Sequence, residues 1–316
     1  CNLYSELCSR KFSNITTVVA HNSPFTRPHN ALSNQDQPVI TQLNDGIRGL
    51  EFATHLFLDE LHLCHSDCLL LNAGPLEAYL RTVARWLLTH PDEVLTLILT
   101  NDDRVPPTAY TAPFNHSGLL PYIYVPHKPT MDLSDWPTLS EMIRRNQRVV
   151  VTLDYGANTT EVPWLLDEWS IRWQTPFSPA DPSFPCTVHR PPSQPSSISR
   201  NRMYMANHNL NIPIFNFRAP LSASLTKHMA TDSSILVPAY SLFEQVNAVD
   251  GNMSLGQAVQ GCEKMWGRPP NGLLVDYYEA GGGSVFEVAA KANGLVYKKS
   301  CCGGGLRKAM MMEGGR

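Results

Sequence analysis

No apolar run in this 316-residue chain approaches the ~20 residues that a helix needs to cross a bilayer, so no membrane-spanning helix is expected. Glycine-rich loops of the G-x-G-x-x-G or Walker type are missing, which removes the usual signatures of a dinucleotide- or nucleotide-binding open sheet. Charge is scarce and nearly balanced: 17% of residues are Asp, Glu, Lys or Arg, the formal net charge is −3, and the 25 basic residues are scattered. Such a surface has no electrostatic footprint for nucleic acid, and no nucleic-acid partner is expected. Paired C-x-x-C knuckles are also lacking, which argues against a structural zinc site. No signal peptide opens the chain, so processing or trimming at Cys1 is the expectation. The Gly- and Met-rich end, Gly303 to Arg316, carries no hydrophobic tail and neither shows nor excludes a lipid-anchor signal.

What the chain does have is eight cysteines, at positions 1, 8, 64, 68, 186, 262, 301 and 302. Cystines are the remaining use for them, and cystines imply an oxidising compartment. Sequons at Asn14, Asn115, Asn158 and Asn252 point the same way, so a secreted glycoprotein is expected, with cell-surface or cell-wall association open. The expected pairs are Cys1–Cys8 and Cys64–Cys68, which close short loops, and Cys186–Cys262, which ties a long one. Cys301 and Cys302 are left open between a vicinal bridge, other partners and free thiols.

With 43% hydrophobic residues, the length suits one large core. We read residues 1–300 as a single domain and 301–316 as a flexible tail, and the protein as a monomer. Short β-branched apolar runs recur, each ending in a polar or ionisable residue. Ile15–Ala20 leads to His21 and Asn22, Ile47–Phe52 to Thr54 and His55, and Leu61–Cys64 to His65. Val94–Leu99 leads to Asn101 and Asp102, Val149–Leu153 to Asp154, Met203–Ala206 to Asn207 and His208, and Leu273–Val275 to Asp276. Near-continuous apolar strands are buried on both faces, as in a parallel sheet under helices. Amphipathic stretches at Pro75–His90, Thr138–Arg145, Leu255–Trp266 and Ser284–Asn293 supply such helices. The alternation predicts an α/β fold, a TIM-like (β/α)8-type barrel, irregular or incompletely closed forms included, with chemistry at the carboxyl ends of its strands. Two long connections, Asp102–Trp136 and Pro176–Arg200, are expected to cover the mouth. Phe114, Leu119, Leu120, Tyr122 and Tyr124 are candidates for an apolar rim there, and Trp164, Trp169 and Trp173 for a helical face packed on the barrel.

Four stretches together resemble the phosphatidylinositol-specific phospholipase C-like phosphodiesterase superfamily, particularly its secreted fungal branch: AHNSPF at His21, GIRGLE at Arg48, LHLCHSDC at His65 and LLVDYYEAG at Asp276. The likeness spans most of the chain and rests on order and spacing, with EVLTLILTN and VVVTLDYGA in their expected places. It implies cleavage of a lipid, glycolipid or inositol phosphodiester by two histidines. A neighbouring substrate hydroxyl attacks phosphorus, His21 removes its proton as base and His65 protonates the leaving alkoxide as acid. An imidazole with an unperturbed pKa of ~6.5 suits both roles. Asp276 would orient His21. Peripheral contact with a membrane surface would follow from a lipid substrate.

The chain departs from the family at the cation. Calcium-dependent relatives carry Asn after the first histidine, Glu-x-Asp on the second strand and an acid on the fourth; Asn22 and Glu51 are present, but Ala53 and Thr100 fill the other positions. Metal-independent bacterial relatives place arginine where Ala53 stands, whereas Arg48 matches an earlier, structural arginine, kept here as a substrate-binding candidate. By two-residue alternation His55 shares a strand face with Glu51 and Ala53, so it is a candidate substitute cation or ligand. Asn22, Glu51, His55 and Asp154 are a candidate cluster for a divalent calcium or magnesium ion. Asp154 and His208 complete the substrate-binding candidates. Two rival readings use the same residues: a non-catalytic cell-surface binding protein, favoured by Ala53 and Thr100, and a carbohydrate-active barrel using Asp154 and Asp276 as acid and base.

Overall fold

Strands that are apolar on both faces need cover on both, and the computed structural model provides it by curling the sheet on itself inside a shell of helices. The structure describes residues 1–26, 32–215, 234–299 and 301–302. Its strands are β1 (Thr17–Ala20), β2 (Gly49–Phe57), β3 (Glu60–Cys64), β4 (Asn72–Pro75), β5 (Leu95–Asn101), β6 (Val149–Leu153), β7 (Leu165–Asp167), β8 (Arg172–Gln174), β9 (Met203–Asn207), β10 (Asn211–Phe215), β11 (Ser234–Pro238) and β12 (Gly272–Val275). Eight of them run in the order β7-β6-β5-β2-β1-β12-β9-β8, each parallel to its neighbour. The end strands β7 and β8 are not hydrogen-bonded to each other, so the (β/α)8-type barrel is incompletely closed.

Alternation along each strand sorts the side chains. Leu50, Phe52, Leu97, Leu99, Val151, Leu153, Leu273 and Val275 point outward into the core under the helices. Val19, Ile98, Met205 and Leu274 meet on the axis as a separate buried cluster. The axis is narrow: a Cβ on Gly49 would lie 2.6 Å from Val19 Cγ2, so only glycine fits there. Two residues beyond each axial residue, the same face carries His21, Glu51, Thr100, Asn207 and Asp276. The fold thus turns a hydrophobic pattern into a ring of polar groups at one end.

The predicted helices form at Leu76–Thr89, Leu139–Arg144, Leu255–Trp266 and Ser284–Ala292. Leu76, Leu80, Val83 and Leu87 bury one face of the first. The third starts at Ser254, whose side chain accepts from the Gln257 N–H, and stops at Gly267 in the left-handed region. Among the described residues no helix is long and apolar enough to cross a membrane. Disulfides join Cys1–Cys8, Cys64–Cys68 and Cys186–Cys262, while Cys301 and Cys302 are bonded to each other. The rest of the expected tail, 303–316, lies outside the described residues.

Three expectations are corrected. Leu61–Cys64 is not a barrel strand: β3 turns back antiparallel on β2, because Leu58 and Asp59 both take left-handed φ and form a tight hairpin. Trp164, Trp169 and Trp173 do not share a helix, since Trp169 sits in a single turn between β7 and β8 and Trp173 lies on β8. The proposed rim packs down, with Phe114, Leu119 and Tyr124 all buried. The most exposed leucines at the β2–β3 side are Leu58 and Leu69, 81% and 83% exposed, with Leu56 of β2 also exposed.

Candidate active site

His21 follows directly on β1, and its imidazole is fixed from several sides. Nδ1 lies 2.7 Å from Oδ1 of Asp276, which follows β12, the strand paired with β1. A carboxylate only accepts, so Nδ1 carries the proton and Nε2 is left as the basic nitrogen. Gln35 holds the local backbone by donating to the carbonyls of His21 (2.8 Å) and Val275 (3.0 Å). Asn22 takes a left-handed φ of 49°, which asparagine tolerates. Its N–H donates to Glu51 Oε2 at 2.8 Å, and its side-chain amide donates to Asn34 Oδ1 (3.0 Å) and lies 3.2 Å from His21 Nε2. Burial works to lower the His21 pKa, but the carboxylates of Asp276 and Glu51 outweigh it and hold the pKa above the ordinary imidazole value.

The end of β3 brings the His65 backbone to the same stretch of β2 from the opposite direction. At Gly49 and Leu50, β2 pairs with β1 on one edge and β5 on the other; at Thr54 it still pairs with β5, and β3 has replaced β1. Hence β1 and β3 approach each other head-on along one edge of β2, and the gap between them is Glu51–Ala53. His21 leaves the end of β1 into that gap and His65 leaves the end of β3 into it. In the gap the Ser23 N–H donates to the Glu51 carbonyl at 2.9 Å. The His65 ring packs edge-on to Phe25, with centroids 5.4 Å apart, and its Nδ1 lies 3.3 Å from Ser66 Oγ.

Around His21 and the neighbouring strand ends the polar groups are mostly acidic. Glu51 Oε2 is 3.9 Å from His21 Nε2, and burial raises the Glu51 pKa. His55 sits between two carboxylates, 3.3 Å from Asp102 Oδ2 and 3.2 Å from Asp103 Oδ1; burial opposes its charge, and Asp102 and Asp103 raise its pKa. With two carboxylates against one imidazolium, this cluster is not a net cation. Asp154 continues the inward row of β6; its Oδ1 accepts from the Asn101 N–H at 2.8 Å, and its buried Oδ2 has no hydrogen-bond partner. Burial pushes its pKa up to about 7. Among the described residues, no three His, Asp, Glu or Cys side chains at this end bring ligand atoms within 4.8 Å of one another. Ala53 and Thr100 add no carboxylate, so Glu51, Asn22, His55 and Asp154 do not make a closed cation cage.

Two candidates are not brought to the mouth. Arg48 stands at the opposite end of β2, where its Nε donates to Glu93 at 2.6 Å and Nη1 to the carbonyls of Leu43 and Ile47. His208 faces outward from the barrel, fully buried against Phe184, with Nε2 3.0 Å from the Val246 carbonyl; burial lowers its pKa to about 4. Its neighbour Asn209 is the residue that reaches His21, its amide 3.3 Å from Nδ1. The signal was available: counting by two from the inward Met205 selects positions 207 and 209 and passes over 208. Asp276 is fully buried, with Oδ1 on His21 Nδ1 and a second oxygen, Oδ2, that has no hydrogen-bond partner.

Comparison with known proteins places the fold and the family. The PI-PLC X family model, described as PI-PLC X 1, matches residues 7–236. An uncharacterized secreted protein of Arthroderma benhamiae is 50% identical over 305 residues, 96% of this chain and 66% of its own length, so the chain spans just under two thirds of that relative. A PI-PLC X domain-containing protein 1 of the same fungus is 37% identical over 93% of this chain and 90% of its own length. Among solved structures, the phosphatidylinositol-specific phospholipase C of Listeria monocytogenes superposes with a TM-score of 0.54 at 12% identity, covering 92% of this chain and 96% of that one. A Staphylococcus aureus phosphatidylinositol-specific phospholipase C double mutant gives 0.54 at 14% identity, covering 92% and 95%. At such identities these two structures speak for the fold, while the family model and the fungal relatives speak for descent: the chain belongs to the PI-PLC X family.

Proposed function

We propose that this protein is a phosphodiesterase of the phospholipase C type that cleaves a lipid, glycolipid or inositol phosphodiester with His21 as base and His65 as acid. The observation that carries the reading is the buried Asp276 carboxylate on His21 Nδ1, which leaves Nε2 basic at the carboxyl end of β1. A substrate hydroxyl beside the phosphate gives its proton to Nε2 and its oxygen attacks phosphorus. The imidazolium so formed is stabilised by Asp276 and by Glu51. The phosphorus–oxygen bond to the leaving alcohol breaks as His65 delivers a proton to that oxygen, giving a cyclic phosphate and a neutral alcohol.

Disulfides and the name of the fungal secreted relative support an extracellular location. Leu56, Leu58 and Leu69 are apolar groups offered to a lipid surface on the side of the β2–β3 hairpin. Purified protein incubated with phosphatidylinositol, with and without calcium, should release diacylglycerol. Turnover that survives His21→Ala would reject the assignment. The absence of charge at Ala53 and Thr100 favours a second reading, a binding protein on the same barrel. It predicts retention on phosphatidylinositol vesicles with no diacylglycerol released under either condition.

A further inference from the structure

His65 lies inside a ring. The Cys64–Cys68 disulfide has a sequence separation of 4, so Cys64, His65, Ser66, Asp67 and Cys68 form a closed loop hung from the end of β3. Cys64 is fully buried, and the loop backbone is bonded on both sides of the histidine. The His65 N–H donates to the Leu71 carbonyl at 2.9 Å, the Asp67 N–H donates to the His65 carbonyl at 2.7 Å, and Ser66 is held at a left-handed φ of 64°. In the chain-entropy view a cross-link stabilises more the longer the loop it closes. By that measure a separation of 4 yields far less than the separation of 76 between Cys186 and Cys262. What the short ring supplies instead is a fixed base for the imidazole.

A second support comes from the other histidine's own loop. Phe25, fully buried, sets its ring edge against His65 at an interplanar angle of 83°. The Phe25 carbonyl accepts from the N–H groups of Asn34 (3.0 Å) and Gln35 (3.1 Å), and the Gln35 side chain holds the His21 carbonyl. Contacts therefore run without a break from His21 through Gln35 and Phe25 to His65. We propose that the Cys64–Cys68 ring and Phe25 are positioning elements for the proton donor, setting where His65 stands relative to His21. This rests on the reading of His65 as the acid.

The experiment uses the full chain and two substrates that differ in their need for an acid. Phosphatidylinositol has an alkoxide leaving group that must be protonated; a nitrophenyl phosphodiester of inositol has a leaving group that departs as a stable anion. Cys64→Ser/Cys68→Ser should lower kcat on phosphatidylinositol on the order of 100-fold, with KM and nitrophenyl turnover within about threefold. Phe25→Leu, which keeps the core filled, should lower kcat on phosphatidylinositol about tenfold and spare the nitrophenyl ester. It carries the same test alone where the double serine variant does not fold. Equal losses on both substrates, or none on phosphatidylinositol, would overturn the positioning role while leaving the catalytic reading intact. His65→Ala with undiminished phosphatidylinositol turnover would instead remove the acid assignment, and the positioning role with it.

Discussion

Two charges lie three residues apart at β2, Arg48 just before the strand and Glu51 within it, and the fold treats them differently. At the amino end Arg48 is closed off completely, with its Nε on Glu93, Nη1 on two backbone carbonyls and its guanidinium over the Trp86 ring. Three residues on, Glu51 faces the mouth with one backbone N–H and an imidazole 3.9 Å away, and two strands along, at the end of β6, Asp154 keeps an unpartnered carboxylate oxygen. A buried charge with every partner in place holds the fold. Buried acids left incompletely paired, and a histidine held above its ordinary pKa, are what a site for proton transfer requires. The contrast separates stability from chemistry along one strand.

The strongest way to break that contrast is His21→Ala, which should lower phosphodiester turnover of the folded protein by on the order of 1000-fold or more. Arg48→Met should do the reverse. It strands Glu93, so the unfolding free energy in a denaturant titration should drop by about 3 kcal/mol, while kcat of the folded fraction stays close to wild type.

Asp276→Asn sharpens the functional end through pH. The His21 pKa stands above 6.5 in the folded enzyme, so kcat/KM should rise with pH through a midpoint above that value as the base loses its proton. Removing the Asp276 charge should shift that midpoint down and cost roughly 100-fold in kcat by loosening the ring. A midpoint that does not move would detach Asp276 from the base. The same raised pKa means that the stability His21 draws from its carboxylates is complete below 6.5 and is lost as pH rises through the folded value.

Asp154→Asn tests whether the mouth is held at a cost. The folded pKa of Asp154, about 7, lies above its ordinary 3.8, so the native state binds the extra proton in between and stability falls as pH rises from 3.8 to 7. The asparagine variant should match wild type at low pH and exceed its unfolding free energy by about 4 kcal/mol above pH 7, read from denaturant titrations at both. The smallest effect belongs to Asn209→Ala, which removes a long contact to His21 Nδ1 and should cost about threefold in kcat.

Alternation made most of the barrel legible in the residues. Val149–Leu153 and Leu255–Trp266 form where the pattern places them, and the inward row that begins at Val19 leads to His21 by counting in twos. The short strands β7 and β8 were hidden, because three residues are too few to show a period and their aromatic neighbours suggested a helix. The antiparallel turn of β3 was also hidden, since LHLC is equally apolar in either direction and only pairing with β2 sets its sense. Strand parity separates Asn209 from His208, but the parity is fixed only once Met205 is known to face the axis.

Local chemistry, then, determined a great deal: periodic burial specified strands and helices, cysteine spacing suggested three cross-links that form, and polar residues at strand ends marked the rim of the barrel. What it could not decide was convergence. That β1 and β3 meet end to end on β2, that Asp276 reaches His21, and that His55 lies between two carboxylates follow from hydrogen-bond registers between segments far apart in the chain. Register is a property of paired strands and of the narrow axis they enclose, so it exists only once the sheet has closed.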